Sequence, residues 1–338
     1  METSVDIALI ERELRDLWQQ MARPAQTEQQ QAVTRACVMN LIVYAPGETA
    51  DRDVTGILAD VIYEHPARMI VLLPEGTGPE PLAQHSLSAW VTAQCRVAAG
   101  GRKQVCCEQI MIRAKGPVLK QLPSVVIRLL VPDLPVCLWW RDQLRETNDV
   151  LNALLKPADH IIVDSALFAD PSREFERLAA LIRANRGWTA FSDLNWSRLT
   201  PWRITIAECF DVAEYRSCFS RINAVHIGWN HHSQWMLLIG WLAGRLHWDP
   251  HWVNSMVHVS AGQVPYIRFV MDDGEVTVRQ NSEGSHLETF LRAKDRQLVG
   301  RITKLSPGAE AASLNQELEI LGSDHVFEEA LEMILKYA

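Results

Sequence analysis

Apolar residues at Ile7, Ile10, Leu14, Leu17, Trp18 and Met21 recur every three to four positions, which predicts an opening amphipathic helix. The polar, proline-containing stretch 23–31 reads as a linker. Strand-like and helical runs then alternate: 37–45 as a strand, 52–65 as a helix, 67–74 as a strand. Residues 87–98 and 103–114 read as two strands joined by the turn-like AGGR, although the first also fits a helix. Residues 118–131 are helical in part. The runs 134–140 and 160–165 are apolar throughout, as expected of central strands covered on both faces. This rhythm predicts a mainly parallel βαβ sheet.

The pattern breaks at 169–175. Asp170 is placed to cap a helix over 172–185 that begins with Pro171, and Thr200-Pro201 repeats the device. A strand over 221–229 and a buried helix over 233–247 follow. Gly240 and Gly244 in that helix suit close packing. Beyond Pro250 the runs shorten, from VNSMVHVSA (253–261) to QLVGRITKL (297–305), with turn signals between them. They read as an antiparallel sheet with one face partly solvated. Val326, Phe327, Ala330, Leu331, Ile334 and Leu335 mark a last amphipathic helix. The expected fold class is α/β. An N-terminal helix and linker (1–31) lead into a mainly parallel βαβ domain (32–170), then an α+β domain (171–338) with an antiparallel sheet.

A chain of 338 residues suits about two domains. The formal net charge of −8 speaks against a general nucleic-acid binder, which needs clustered Lys and Arg. No signal peptide opens the chain, and the most apolar helix, 235–246, is too short for a membrane span and contains Arg245. The seven cysteines are odd in number, form no CxxC and sit mostly in apolar runs. They read as reduced, buried thiols of a cytoplasmic protein. Cys106 and Cys107, adjacent in a strand, are expected on opposite faces.

Standard chemical fingerprints are missing: no GxGxxG, phosphate loop, HExxH or GxSxG occurs, so no cofactor or metal is expected. His226, His231, His232, His247 and His251 lack metal-ligand spacing and read as surface or packed residues. Asp164-Ser165 closes a predicted parallel strand, where open sheets hold ligands. A catalytic carboxylate or nucleophile is one reading, and a helix cap or loop hydrogen bond is the commoner one. Asp133 precedes another such strand. Ten of the twelve tryptophans fall between 139 and 252. In LNWSRLTPWR, Trp196 and Trp202 stand among Arg198, Arg203 and a proline turn. Both core and interface readings stay open there, because Trp and Arg are enriched in interface hot spots.

Taken in order, HPARMIVLL, VCCEQIMI, LPSVVIRLLVPDLPVCLWW, HIIVDS, LNWSRLTPWR and LLIGWLAGRLHW resemble the bacterial glucose-6-phosphate dehydrogenase assembly protein family, OpcA. The resemblance covers nearly the whole chain. It implies a non-enzymatic protein that binds glucose-6-phosphate dehydrogenase and promotes its active oligomer in the oxidative pentose phosphate pathway. Partner-binding candidates are Asp133, Trp139, Trp140, Arg141, Asp164, Ser165, Trp196, Arg198, Trp202 and Arg203. Strand alternation sets Trp139 and Trp140 on opposite faces, so one is expected under a helix and the other toward a partner or cleft. The competing expectation is an enzyme acting on a sugar phosphate, with Asp133, Asp164 and nearby arginines lining a cleft at the strand ends.

Overall fold

The computed structural model describes residues 7–21, 32–47, 49–75, 86–97, 103–145, 147–211, 222–272, 274–293, 296–305, 310–320 and 322–337. The expected linker at 23–31, the AGGR turn and Cys218 lie outside these residues. The chain divides into two compact units: 1–167, 185–192 and 314–322 form the first, and 168–184, 193–313 and 323–338 the second. The expected domains end at 31 and 170; the chain first crosses between the two units at 167/168 and returns to the first unit twice.

The first unit is built on a sheet whose order includes β5 (Lys103–Lys115), β3 (Ala67–Glu75), β2 (Met39–Tyr44), β6 (Val136–Trp140), β7 (His160–Val163) and β8 (Ala190–Asp193). From β5 to β7 every printed pairing is parallel. β2 is buried at all six positions and β6 at all five, matching the apolar runs of strands covered on both faces. Helix α2 (Ala50–Glu64) joins β2 to β3. β4 (Ser86–Val97) pairs antiparallel with β5 as the expected hairpin, and β1 (Ala32–Arg35) runs parallel to the start of β5.

Polar contacts tie the opening helix α1 (Ile7–Met21) to this sheet. Glu108 of β5 is 2% exposed and meets Arg35 at 2.6 Å and Arg68 at 2.7 Å. Trp18 of α1 donates its indole N–H to the same carboxylate at 3.0 Å. Burial would push the Glu108 pKa up, but the hydrogen bond from Trp18 and the two arginines outweigh it and hold the carboxyl below its usual range.

The cysteine expectation needs correction. Cys95 and Cys106 form a disulfide. The register of the β4–β5 hairpin sets them directly opposite one another, with Cα atoms 4.1 Å apart. Neither residue belongs to a local cysteine motif, so only the register brings them together. Cys107 and Cys137 are free buried thiols, as expected; Cys37 and Cys209 are free and half-buried.

The second unit carries a six-stranded sheet in the order β10 (Val257–Ser260), β9 (Ile222–Gly228), β11 (Tyr266–Met271), β12 (Gly274–Gln280), β13 (His286–Ala293), β14 (Arg296–Lys304). All neighbours pair antiparallel except β10 with β9, which are parallel. That exception corrects the reading of 253–261 as one antiparallel run. Asp249 accepts a hydrogen bond from the Trp252 N–H at 2.9 Å and caps a short helix, Pro250–Met256, before β10 begins. The long buried helix His232–Leu246 crosses the last helix, His325–Tyr337, at Gly240. A Cβ there would collide with the Ala330 carbonyl, so the close packing expected of this glycine is realised.

Candidate functional site

A doubly wound sheet places its ligand outside the carboxyl ends of the strands, where the strand order reverses. Here the chain moves outward from β2 through β3 to β5, then returns to the other side of β2 as β6, β7 and β8. The switch point therefore lies between β2 and β6. The last residues of these strands, Tyr44 and Trp140, are register partners. Their rings stack with centroids 3.9 Å apart at 8°. Both are buried, and burial pushes the Tyr44 hydroxyl up to about 12. The helix that starts there, α2, carries Asp51 and Asp53 in its first turn. A phosphate-binding turn uses that positive helix end for the ligand's negative charge. Here two carboxylates already stand at it, and Asp51 is 3.4 Å from Arg113.

Both Trp139 and Trp140 are fully buried, which corrects the expectation that one faces a partner or cleft. Arg141 follows them, half-buried, with its guanidinium 4.9 Å from the Trp139 ring centre. Asp164 and Ser165 are buried, and Asp164 accepts the Ala166 N–H at 3.1 Å, the hydrogen-bonding role of a turn residue. Asp133 is exposed in the turn before β6, with φ 62°. It stands at the amino end of β6, whereas Asp164 follows the carboxyl end of the parallel strand β7. The length of a five-residue strand, about 17 Å, separates those two edges. A single cleft lined by both acids, as the sugar-phosphate reading required, is not formed.

In the Trp-Arg segment, burial decides what the sequence left open. Trp196 is 3% exposed; its indole N–H donates to Asp324 at 2.8 Å and its ring packs near Phe327. Trp202 is 5% exposed and lies 4.5 Å from the Trp229 ring. Both belong to the core. The arginines reach further out. Arg203 stacks on Trp196 at 3.5 Å and donates to the Thr200 hydroxyl at 2.9 Å, and Arg198 is half-buried. The tryptophan that does stand in solvent is Trp188, 87% exposed beside Gly187 at φ 84°. The sequence counted it among the ten tryptophans between 139 and 252 without distinguishing it. Its neighbours Arg186 and Gly187, a polar turn before the buried strand β8, were the available signal.

Glu64, His65 and Glu319 bring metal-ligand atoms within 4.8 Å of one another. The His65 Nε2 is already 3.2 Å from the Asn315 carbonyl, and both carboxylates are exposed, so this is ordinary surface charge. A buried histidine, His160, lies 2.9 Å from the Ser192 hydroxyl, and burial lowers its pKa to about 4. Among the described residues no helix is long and apolar enough to cross a membrane.

Comparison with known proteins gives a consistent family. Residues 59–180 match the family described as glucose-6-phosphate dehydrogenase subunit N-terminal domain, and residues 189–331 the corresponding C-terminal domain. A curated relative from Synechocystis sp., provisionally named OxPP cycle protein OpcA, is 32% identical over 203 residues, 59% of this chain and 41% of that protein. One of the same name from Nostoc punctiforme is 26% identical over 313 residues, 81% of this chain and 66% of that protein. The chain thus spans between two fifths and two thirds of these relatives' length. A 3-ketoreductase from Actinomadura kijaniata, solved with TDP-benzene and NADP, aligns over 88% of this chain and 95% of its own at TM-score 0.49 and 11% identity. That likeness is too distant to bear on chemistry.

Proposed function

The chain belongs to the OpcA glucose-6-phosphate dehydrogenase assembly family, and on that premise we propose that it is a non-catalytic partner of glucose-6-phosphate dehydrogenase. It binds the enzyme and promotes its active oligomer in the oxidative pentose phosphate pathway. One observation carries the non-catalytic part of this reading. The switch point of the parallel sheet is filled by the Tyr44–Trp140 stack and fronted by Asp51 and Asp53. Phosphate-bearing cofactors and substrates are disfavoured at a helix end that already carries two carboxylates.

Partner contact falls to groups with solvent reach. Asp133, Arg141, Arg198 and Arg203 stay in the proposal as contact residues, joined by Trp188. Trp139 and Trp196 act from beneath, as platforms that fix the Arg141 and Arg203 guanidinium planes. Trp140, Asp164, Ser165 and Trp202 contribute by holding the local backbone. Trp is among the side chains most enriched in binding hot spots.

The test mixes the purified protein with glucose-6-phosphate dehydrogenase. Co-elution on size exclusion with light scattering, together with a raised dehydrogenase rate, is the expected result. Absence of both a complex and a rate change overturns the proposal. So does turnover of glucose 6-phosphate by this chain alone.

A further inference from the structure

The six-stranded sheet of the second unit has two unlike faces. One carries Ile267, Phe269, Val276, Val278, Leu287 and Leu291, all buried. The helix Thr200–Asp211 meets the sheet from that side, with Glu208 2.7 Å from Arg301. The alternate strand positions form the other face. Strand register sets Arg268, Arg279, Arg292 and Lys304 there, all half-buried or exposed. Among the described side chains of these strands, only Glu275 and Glu288 oppose them as carboxylates on that face. His226 and His258 stand beside Arg268 in the same cross-strand row. On a chain of formal net charge −8, this face is locally cationic.

Over β11, β12 and β13 the face is hollowed into a depression of about 800 Å³. Val264 is the one aliphatic side chain among its lining residues. An apolar ligand would therefore bury guanidinium, carboxamide and hydroxyl groups without partners, which is costly. Two aromatic rings, Tyr266 and Phe290, stand in the otherwise polar lining. A Cβ on Gly228 would collide with the Tyr266 ring, so only glycine lets that ring lie down across β9. The ring is thus held flat before any ligand arrives.

The two arginines of the lining differ in what they already hold. Arg279 lies over the Phe290 ring at 4.4 Å and donates to Glu288 at 3.0 Å. Arg268 stands 5.7 Å from the Tyr266 ring centre and reaches Glu275 only at 3.8 Å, beyond hydrogen-bond length. Its Nε is buried with no hydrogen-bond partner among the described residues. Its side chain as a whole is 40% exposed, so the guanidinium is fixed at its stem and open at its tip. Burial, and then the neighbouring His258 and Arg268, lower the His226 pKa, as a locally positive potential does.

We propose that this depression binds a sugar phosphate, with the phosphoryl oxygens on Arg268 and the sugar ring over Tyr266. Charge favours that class: a phosphate monoester carries close to two negative charges near neutral pH, and the four cations of the face exceed its carboxylates by two. Geometry favours it as well. A guanidinium presents its N–H groups as a fork that matches phosphoryl oxygens. Residues two apart on a strand lie about 7 Å from one another. A phosphate at Arg268 therefore leaves its sugar at the neighbouring row, where Tyr266, Arg279 and Glu288 are register partners. There the C–H bonds of the ring meet an aromatic face, whose negative potential attracts them. The hydroxyls meet Glu288 and, at the rim, Gln263 and Ser282. The site lies wholly in the second unit and stands apart from the dehydrogenase proposal, since it concerns the chain alone.

The test is isothermal titration calorimetry of the full chain at low ionic strength. Glucose 6-phosphate is the probe, with glucose, gluconate and inorganic phosphate as comparisons. The parent is expected to bind glucose 6-phosphate saturably at one site per chain, and each comparison at least about tenfold more weakly, or ~1.4 kcal/mol. Arg268→Gln removes the guanidinium and is expected to weaken binding by at least the same factor. Ser282→Trp, at an exposed position of the rim, fills the entrance without touching the core and is expected to weaken binding too. Arg301→Gln takes a positive charge from the opposite face, where the side chain is 69% exposed, and should leave binding unchanged. Unchanged melting temperatures confirm that the variants fold, and Ser282→Trp carries the test if Arg268→Gln does not. A parent without saturable binding overturns the inference. So does a comparison compound that binds as tightly as glucose 6-phosphate, an affinity indifferent to Arg268→Gln or, where that variant does not fold, to Ser282→Trp, or an equal loss on Arg301→Gln.

Discussion

Trp202→Ala tests whether LNWSRLTPWR is core. Trp202 is 5% exposed and packs on Trp229 with ring centres 4.5 Å apart. A buried indole removes on the order of 200 Å² of surface from water, which at about 25 cal/mol per Å² is ~5 kcal/mol. That figure is an upper bound, because the denatured chain already hides part of the same surface. Losing the Trp229 ring contact adds about 0.5–1.5 kcal/mol, and partial collapse of the hole takes some back. The expected loss is therefore about 3–5 kcal/mol, in line with large-to-small aromatic truncations. For a unit of this size each kcal/mol lowers the midpoint by roughly 2–4 °C, so a fall of roughly 6–20 °C is expected. Scanning calorimetry is the right assay, because it reads the midpoint and the number of unfolding transitions in one experiment. Trp188→Ala is the control: at 87% exposure it should change stability by no more than about 0.5 kcal/mol. A Trp202→Ala midpoint within about 2 °C of the parent, or a Trp188→Ala midpoint that falls as far, refutes the burial argument.

The same Trp188→Ala protein is expected to bind glucose-6-phosphate dehydrogenase at least about tenfold more weakly in a titration followed by activity, since hot-spot anchors contribute about 2 kcal/mol or more; unchanged activation removes Trp188 from the contact surface. Glu108→Gln leaves Arg68, only 15% exposed, without its carboxylate, and should cost about 3–5 kcal/mol in a denaturant melt of the first unit. Because the folded Glu108 pKa lies below its unfolded value, its stabilisation is full above the unfolded pKa and fades as pH falls through the folded one, so the parent should lose stability in acid more steeply than the variant. His160 titrates near 4 in the folded chain against 6.5 unfolded, so the unfolded state takes up more protons between those values. Stability should fall by up to about 3 kcal/mol as pH drops from 6.5 to 4, and His160→Gln should flatten that part of the profile. Alkylation of the denatured, unreduced protein should spare Cys95 and Cys106 and label Cys37, Cys107, Cys137 and Cys209; labelling of Cys95 before a reductant is added contradicts the hairpin disulfide.

What the sequence alone determined is whatever repeats locally. The 3.6-residue spacing from Ile7 to Met21 became a helix, and the apolar runs 134–140 and 160–165 became buried strands. Gly240 could be assigned to close packing because a glycine in a buried helix has few other uses. The family, too, was legible, since several short motifs in fixed order identify a lineage without any geometry. Pairing and register belong to another level. Cys95 meets Cys106 only because two strands align residue for residue, and no spacing rule encodes that alignment. Asp164 was expected at the end of one strand and Asp133 before another, yet the competing reading put both in one cleft. Parallel pairing of β6 and β7 puts one at the amino edge and the other beyond the carboxyl edge. Among the tryptophans, composition could not separate Trp188 from Trp202, because burial depends on what distant segments bring. Trp229, some 27 positions along the chain, closes over Trp202, while the described residues leave Trp188 in water. The switch point shows the same division. LWW stands out as text, but nothing in it points to YAP, and only the strand order makes Tyr44 and Trp140 neighbours at the switch point of the sheet.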